Sequence, residues 1–392
     1  MKRQESGGVP FFVLNWFGWL VVLSVRTTTS PILHSLRREF GLSRGQAGLL
    51  DTAFLLSYAL MQFLAGFLSS KFNRGKLMMF SLCSSSVVNS LISLSADYTH
   101  VLALRVVSGA LTGIYFVAST SLLADMYEPR RYRALLGLSF TGAHIGTIVT
   151  LLAGGLMVKA LGWRFVPLIS LAFTLISLPF FLTSMPRHDQ VSGGFRLSIL
   201  KLLLKNRMVS ISIIARSINF VVYSVFLAFS HAYVMEEFGV SPVVASLVSI
   251  GLPLAMMMGG LLGGRLSSSV SLAKLIWVET AMLLSAPLIV ALARNVHLVF
   301  IALFLFGFAF TASNLIFVSV ITEFSQKEIR NVALGASNSL AFLFSSFGPA
   351  LFGLLSDALG FTYSFVVLEL MLTLLPGLVA ALCRGLREAE EA

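Results

Sequence analysis

Twelve apolar runs, each about long enough to cross a bilayer, constrain this chain more than any other feature. They fall near residues 11–33, 46–69, 77–95, 99–122, 135–158 and 165–185, then, after a polar break, 207–232, 243–264, 273–293, 297–321, 333–355 and 362–383. A hydrocarbon core of ~30 Å takes about 20 helical residues to span, and inside it each backbone polar group must bond within its own segment. The expectation is an all-α integral membrane protein of twelve transmembrane helices. Composition agrees, with 57% of the 392 residues hydrophobic and 11% charged, where a soluble chain carries roughly a quarter charged. The first run has no small-residue cleavage site and many spans follow it, so it reads as a span and not a signal peptide. Cys83 and Cys383 stand in different halves and fit neither a disulfide nor a metal pattern.

The net charge of +11 belongs to topology and not to nucleic acid. With the N-terminus inside, alternate segments hold nineteen Lys and Arg on the inner side against six on the outer. That is the asymmetry expected of a cell-membrane protein with both termini cytoplasmic. Three arginines, Arg26, Arg105 and Arg216, remain inside spans. A charge at that depth is costly, faces the bundle interior or a polar cavity, and marks function.

The chain also repeats itself. Glu39-Phe-Gly-Leu-Ser43 returns as Glu237-Phe-Gly-Val-Ser241, Lys76 as Lys274, Asp125 as Glu323, and Ala160-Leu-Gly162 as Ala358-Leu-Gly360, each pair 198 positions apart. Several matches at one offset, each at a loop edge, indicate duplication of a six-helix unit. The division expected is an N-terminal bundle over 1–185, a cytoplasmic linker over 186–206 and a C-terminal bundle over 207–392. Within the linker, Phe195 to Lys205 reads as an amphipathic tether on the inner membrane surface. A parallel repeat of this kind places its binding site between the halves, near the membrane midplane.

Polar stripes at helical spacing supply the candidate site residues. Asn15, Trp19, Arg26 and Thr29 share one face of the first span, read as the wall of a path for an anion. Arg105 with Ser108 and Thr112, Arg216 with Asn219 and Tyr223, and Asp51 with Tyr58 and Gln62 mark three further spans. Serines and threonines alone serve as helix-packing glue. The arginines alter that reading, because a planar guanidinium grips carboxylate or phosphate with two bonds. Arg26, Arg105, Arg216, Tyr58, Gln62, Asn219 and Tyr223 are therefore the candidate substrate contacts, with a gate at the inner exit as the alternative for Arg216. No nucleotide loop, metal-ligand cluster or nucleophile motif stands out, so neither an enzyme nor a cofactor is expected.

These residues resemble the major facilitator superfamily. Gly66-Phe-Leu-Ser-Ser-Lys-Phe-Asn-Arg74-Gly-Lys76 is similar to its signature loop between helices 2 and 3, with Ser70 and Asn73 where aspartate and glycine are usual. Leu104-Arg105-Val-Val-Ser-Gly109 resembles the fourth-helix arginine motif, and Glu128-Pro-Arg-Arg-Tyr-Arg133 is also family-typical. The resemblance implies a gating cluster of Gly66, Arg74, Lys76, Asp125 and Arg133. Within the superfamily the chain looks most like the organic-anion (anion:cation symporter-like) branch, through Val25-Arg26, Ser43-Arg-Gly45 and Gly48-Leu-Leu-Asp51 with Phe54, Tyr58 and Gln62. In that branch the first-helix arginine grips the anion, which implies that role for Arg26. Asp51 stands where similar vesicular carriers have a titratable histidine. It is the expected proton-coupling group, with His144 next in line.

The function expected is that of a monomeric secondary transporter. It moves a small organic or inorganic anion by alternating access, coupled to protons or by exchange. The rivals are a polyspecific exporter of amphipathic compounds, favoured by 33 phenylalanines and 14 methionines, and a transporter-like receptor that binds without moving its ligand.

Overall fold

A computed structural model describes residues 11–184, 206–269, 272–325 and 330–391. The linker, with the tether expected over Phe195 to Lys205, lies outside the described residues apart from Asn206. Fourteen α-helices cover most of the described part: α1 (Phe11–Thr27), α2 (Thr29–Phe40), α3 (Arg44–Lys71), α4 (Arg74–Ser90), α5 (Tyr98–Met126), α6 (Pro129–Ala160), α7 (Leu168–Ser184), α8 (Arg207–Phe238), α9 (Pro242–Ser249), α10 (Gly251–Ser269), α11 (Leu272–Ala291), α12 (Val296–Phe324), α13 (Arg330–Leu372) and α14 (Leu374–Glu391). Among the described residues, eleven helical stretches are long and apolar enough to cross a membrane. The sequence gives twelve such runs. The count differs because the last stretch, Ala333–Gly385, runs 53 residues through Gly360, whose φ of 79° and ψ of 169° break the helix. Only glycine takes that backbone conformation without steric cost.

The first span is interrupted as well. Pro31 has no N–H to offer the carbonyl of Thr27, and α1 stops there, leaving its last carbonyls without helical partners. Thr28 Oγ1 donates to Ser24 O at 2.9 Å, and Arg105 donates to the carbonyls of Val25 and Arg26 at 3.0 and 3.2 Å. A break in one span thus becomes an anchor for the arginine of another. Elsewhere side-chain caps set the helix starts: Ser43 and Gln46 form a capping box on α3, and Asp97, Asn206, Ser241 and Asn295 cap α5, α8, α9 and α12.

Close crossings order the first half. A Cβ on Gly109 or Gly113 of α5 would meet the carbonyls of Phe54 or Tyr58 on α3 at 2.3 and 2.6 Å. Gly142 and Gly146 of α6 press in the same way on Trp16 and Leu20 of α1. Small residues four apart let helix backbones approach where lipid offers no hydrophobic drive. Asn89, Asn15 and Tyr115 add interhelical hydrogen bonds within this half, each worth on the order of 0.6 kcal/mol in a bilayer. Large apolar side chains such as Leu64, Leu94, Leu175 and Leu292 point outward, as a lipid-facing surface requires.

The two halves meet mainly where α3 crosses α13, with α2 against α8 and α6 against α9. At one end of the bundle they share charges. Glu236 of α8 takes Arg37 and Arg44 from the first half, the Arg44 pair at 3.1 Å. Asp357 of α13 accepts the backbone N–H groups of Arg44 and Gly45, both at 2.8 Å. At the opposite end Arg74 pairs with Asp125, and both belong to the first half.

Candidate functional site

The α1 break, the first turns of α3 and the middle of α8 enclose a narrow cleft between the halves, with a cavity volume of about 10 Å³. It is lined by Arg26, Thr29, Ser30, Asp51, Leu55 and Ser224, among others. Proline chemistry shapes its far wall. Pro349 has no N–H for the carbonyl of Ser345, and that carbonyl accepts instead from Ser224 Oγ at 2.9 Å. Ala350 N donates across the halves to Thr52 Oγ1 at 3.1 Å.

Arg26 enters this cleft half-buried, and among the described residues no carboxylate pairs with it. Its Nη2 is buried without a hydrogen-bond partner. What it does touch is aromatic: its Cζ stands 4.9 Å from the ring centroid of Tyr223 and 5.4 Å from that of Phe342. Ring faces attract a cation but do not satisfy a guanidinium's directed donors. An oxyanion does both. Tyr58 meets Phe342 edge-on at 5.0 Å. Gln62 accepts from Ser339 of the other half at 3.2 Å and turns its amide toward the Tyr58 hydroxyl.

Arg105 sits behind the cleft wall. It is fully buried and donates to Asp51 at 2.8 Å, to the carbonyls of Val25 and Arg26, and at 3.4 Å to Leu50. Phe54 lies under its Cζ at 4.2 Å. The Arg105 guanidinium is thus bonded throughout to groups of the first half and is not among the residues that line the cleft. Asp51 lines the cleft yet is already taken by Arg105 and by Thr29 Oγ1 at 2.7 Å. Arg216 is 5% exposed and held by three neutral oxygens, Asn314 Oδ1 at 2.6 Å, Ser337 Oγ at 2.9 Å and Asn338 Oδ1 at 2.9 Å. Asn219 bonds Ser313 at 3.4 Å and leaves its own Oδ1 unpartnered. Tyr223 stacks on Phe310 at 4.8 Å.

The supposed polar face of the first span splits in two. Arg26 and Thr29 reach the cleft, whereas Asn15 and Trp19 turn into the first-half core. Asn15 bonds Ser139 and Tyr115, and Trp19 packs on Tyr115, Phe116 and Phe140. The reason is the crossing of α6, which covers that face of α1 at the level of Trp16 and Leu20. His144 is half-buried on α6 and outside the cleft lining. Of the expected gating cluster, Arg74 and Asp125 are paired, Lys76 is exposed and Gly66 lies near the end of α3. Arg133 falls within α6, with its side chain outside the described residues. Phe342, Asn314, Asn338 and Ser224 join the site without having been singled out in the sequence. An amide or ring inside a span has the same signal whether it packs or binds.

The sequence signature of the Major Facilitator Superfamily matches residues 16–284 and 212–392. The chain belongs to that superfamily. The cis,cis-muconate transport protein of Acinetobacter baylyi is 24% identical over 94% of this chain and 93% of its own. The probable sulfoacetate transporter SauU of Cupriavidus necator is 28% identical over 43% of this chain, a match spanning 40% of that relative. Among solved structures, a bacterial homolog of the human lysosomal transporter Spinster, inward-facing and unoccupied, superposes with a TM-score of 0.77 at 18% identity, covering 96% of this chain and 98% of its own. As a superfamily member, this protein is a membrane transporter and not an enzyme.

Proposed function

We propose that this protein is a secondary transporter that moves a small organic anion, with Arg26 as the group that grips it. One observation carries the reading: a guanidinium at the cleft between the halves has a buried donor without a partner and, among the described residues, no carboxylate. The names of the relatives, muconate and sulfoacetate carriers, point to the same cargo class. Cargo contacts from Tyr58, Gln62 and Tyr223 complete the site, with Asn219 and Arg216 deeper in the second half.

The rest of the design follows from the superfamily's mechanics. A helix of 53 residues would run ~80 Å, more than twice the hydrocarbon core. The break at Gly360 therefore makes two crossings of Ala333–Gly385, and twelve in all. The bundles 1–185 and 207–392, joined by the linker 186–206, rock about the cleft. Gly41 and Gly239, and Gly162 and Gly360, take positive φ in pairs at the 198-residue offset, which supports the duplication. The protein acts as a monomer in the cell membrane with both termini cytoplasmic. On that orientation the Glu236 end faces outward and is closed, while Gly66, Arg74, Lys76, Asp125 and Arg133 form the inner gating cluster. Asp51 couples the proton: protonated, it releases Arg105, and with it the carbonyls of Val25 and Arg26 next to the anion site. His144 is the reserve candidate.

One experiment in sealed proteoliposomes tests this reading. Labelled muconate and sulfoacetate are offered with and without an inward proton gradient, to wild type and to folded Asp51→Asn. Accumulation by wild type, with Asp51→Asn retaining exchange but losing its response to the gradient, is the expected result. Binding without accumulation would make the protein a receptor. Full gradient-driven accumulation by Asp51→Asn would move coupling to His144.

A further inference from the structure

Four hydroxyl side chains line the cleft, those of Thr27, Thr29, Ser30 and Ser224. Three of them have acceptors for their protons. Thr27 Oγ1 donates to Thr147 Oγ1 at 3.4 Å, Thr29 Oγ1 to Asp51 Oδ1 at 2.7 Å and Ser224 Oγ to the Ser345 carbonyl at 2.9 Å. Ser30 differs: it is 2% exposed, and among the described residues its buried Oγ has no hydrogen-bond partner. A hydroxyl taken out of water costs free energy unless it is bonded.

The break in the first span explains why this hydroxyl is free. A serine inside a helix ordinarily donates to the carbonyl four residues back, as Ser212, Ser217, Ser356 and Ser364 do here at 2.7–2.9 Å. Four residues before Ser30 stands Arg26, whose carbonyl receives Arg105 Nη2 at 3.2 Å instead. Ser30 therefore keeps its donor for the cleft. Thr28 holds φ and ψ of −48° and −40°, so the chain keeps a helical turn across the break. One turn apart, Arg26 and Ser30 share a face. Arg26 Nη2 is the other buried donor of the cleft lining that has no partner among the described residues.

Resting on the anion-transport reading, we propose that Ser30 is a cargo-binding residue whose hydroxyl donates to the same oxyanion that the Arg26 guanidinium grips. A guanidinium fork reaches both oxygens of an acid group, and each of those oxygens keeps a lone pair for a further donor. Ser30 fills one of these from α2, where the other hydroxyls of the cleft are already spent. The cavity of about 10 Å³ is about the room that one water-sized group fills, so a single acid oxygen can lie against both donors. Bound this way, the acid also bridges α1 and α2 across their break. The hydroxyl adds most to an ionised acid, because hydrogen bonds to a charged partner are roughly twice as strong as neutral ones.

Calorimetry on purified full-length protein, with muconate and sulfoacetate as probes, tests the assignment. Ser30→Ala should weaken whichever probe wild type binds by about tenfold or more, the loss expected for one charge-assisted hydrogen bond. Ser30→Thr, which restores a hydroxyl, should return to within about threefold of wild type. Without ligand, Ser30→Ala should melt within about 1 °C of wild type or slightly above it, because the hydroxyl it loses makes no bond in the protein. A hydroxyl with a purely structural role, such as one held by an ordered water, would reverse the pattern, with a lower melting temperature at unchanged affinity. Unchanged affinity of Ser30→Ala overturns the proposal and leaves the anion reading standing where Arg26→Lys binds more weakly. Failure of both probes to bind wild type overturns the anion reading, and the assignment of Ser30 with it. The alanine arm decides without the threonine variant, so a misfolded Ser30→Thr protein does not shelter the proposal.

Discussion

Arg105 and Arg216 are both buried inside spans, and the two halves treat them in opposite ways. Around Arg105 the first half supplies a carboxylate and three backbone carbonyls, and α5 is pinned to α1 and α3. Around Arg216 the second half supplies, among the described residues, only neutral oxygens, drawn from α12 and α13. The first arrangement is complete as it stands and reads as a strut. The second holds a cation in place with neutral oxygens that do not cancel its charge. Burial alone does not separate the two, since both are nearly inaccessible. The sign of the surrounding charge does.

The comparison breaks most visibly at Arg105. Arg105→Gln leaves Asp51 buried beside orphaned carbonyls, and should cost ~3–5 kcal/mol of stability, as removal of one partner of a buried pair does. Denaturant or thermal unfolding in a fixed detergent measures it. Converting Asp51 to leucine in the same chain should recover much of the loss. A stable single variant would mean that Arg105 is not a strut.

A smaller effect is expected where the halves share charges. Glu236→Gln weakens the hold on Arg37 and Arg44 while leaving every pair internal to one half intact. These side chains are partly exposed, at 14–22%, so the loss is about 1 kcal/mol, the upper edge of surface pairs. With Cys83 and Cys383 replaced, maleimide labelling of a cysteine introduced at Thr52 should speed up roughly tenfold as that end opens more often. Unchanged labelling would show that the close crossing of α3 and α13 closes this end without help from the charges.

The least change is predicted at Arg216. Replacing a cation that has no counterion among the described residues by a neutral amide removes a desolvated charge, which offsets the loss of at least one of its three hydrogen bonds. Arg216→Gln should therefore stay within about 1 kcal/mol of wild type, or gain slightly. A loss as large as that of Arg105→Gln would erase the distinction between the two arginines.

Much of the fold was legible in the chain because lipid imposes length on each span. The apolar runs, the basic asymmetry and the 198-residue echo are all local or periodic signals. The setting of Arg26 was legible too, since a lone charge in an apolar run needs a polar recess, and it lines the cleft between the halves. The partnership of Arg105 with Asp51 was open, because it depends on how α5 is rotated against α3. That rotation is fixed by Gly109 and Gly113 resting on the backbone of Phe54 and Tyr58, a contact that sequence spacing does not reveal. Glu236 was hidden for another reason. At the end of a span it reads as an ordinary solvated acid, and only the approach of α2 and α3 turns it into a lock. The amides of Asn314 and Asn338 became readable once Arg216 was seen to lean on them.

The central claim is that the fork of Arg26 grips the anion, and the affinity of folded Arg26→Lys for muconate tests it most directly. Lysine keeps the charge and loses the paired donors. Calorimetry on wild type and variant at equal pH and salt should give a drop of about thirtyfold or more, corresponding to ~2–5 kcal/mol for a lost charge-assisted contact. An Arg26→Lys protein that binds muconate as tightly as wild type would contradict the account and place the anion elsewhere.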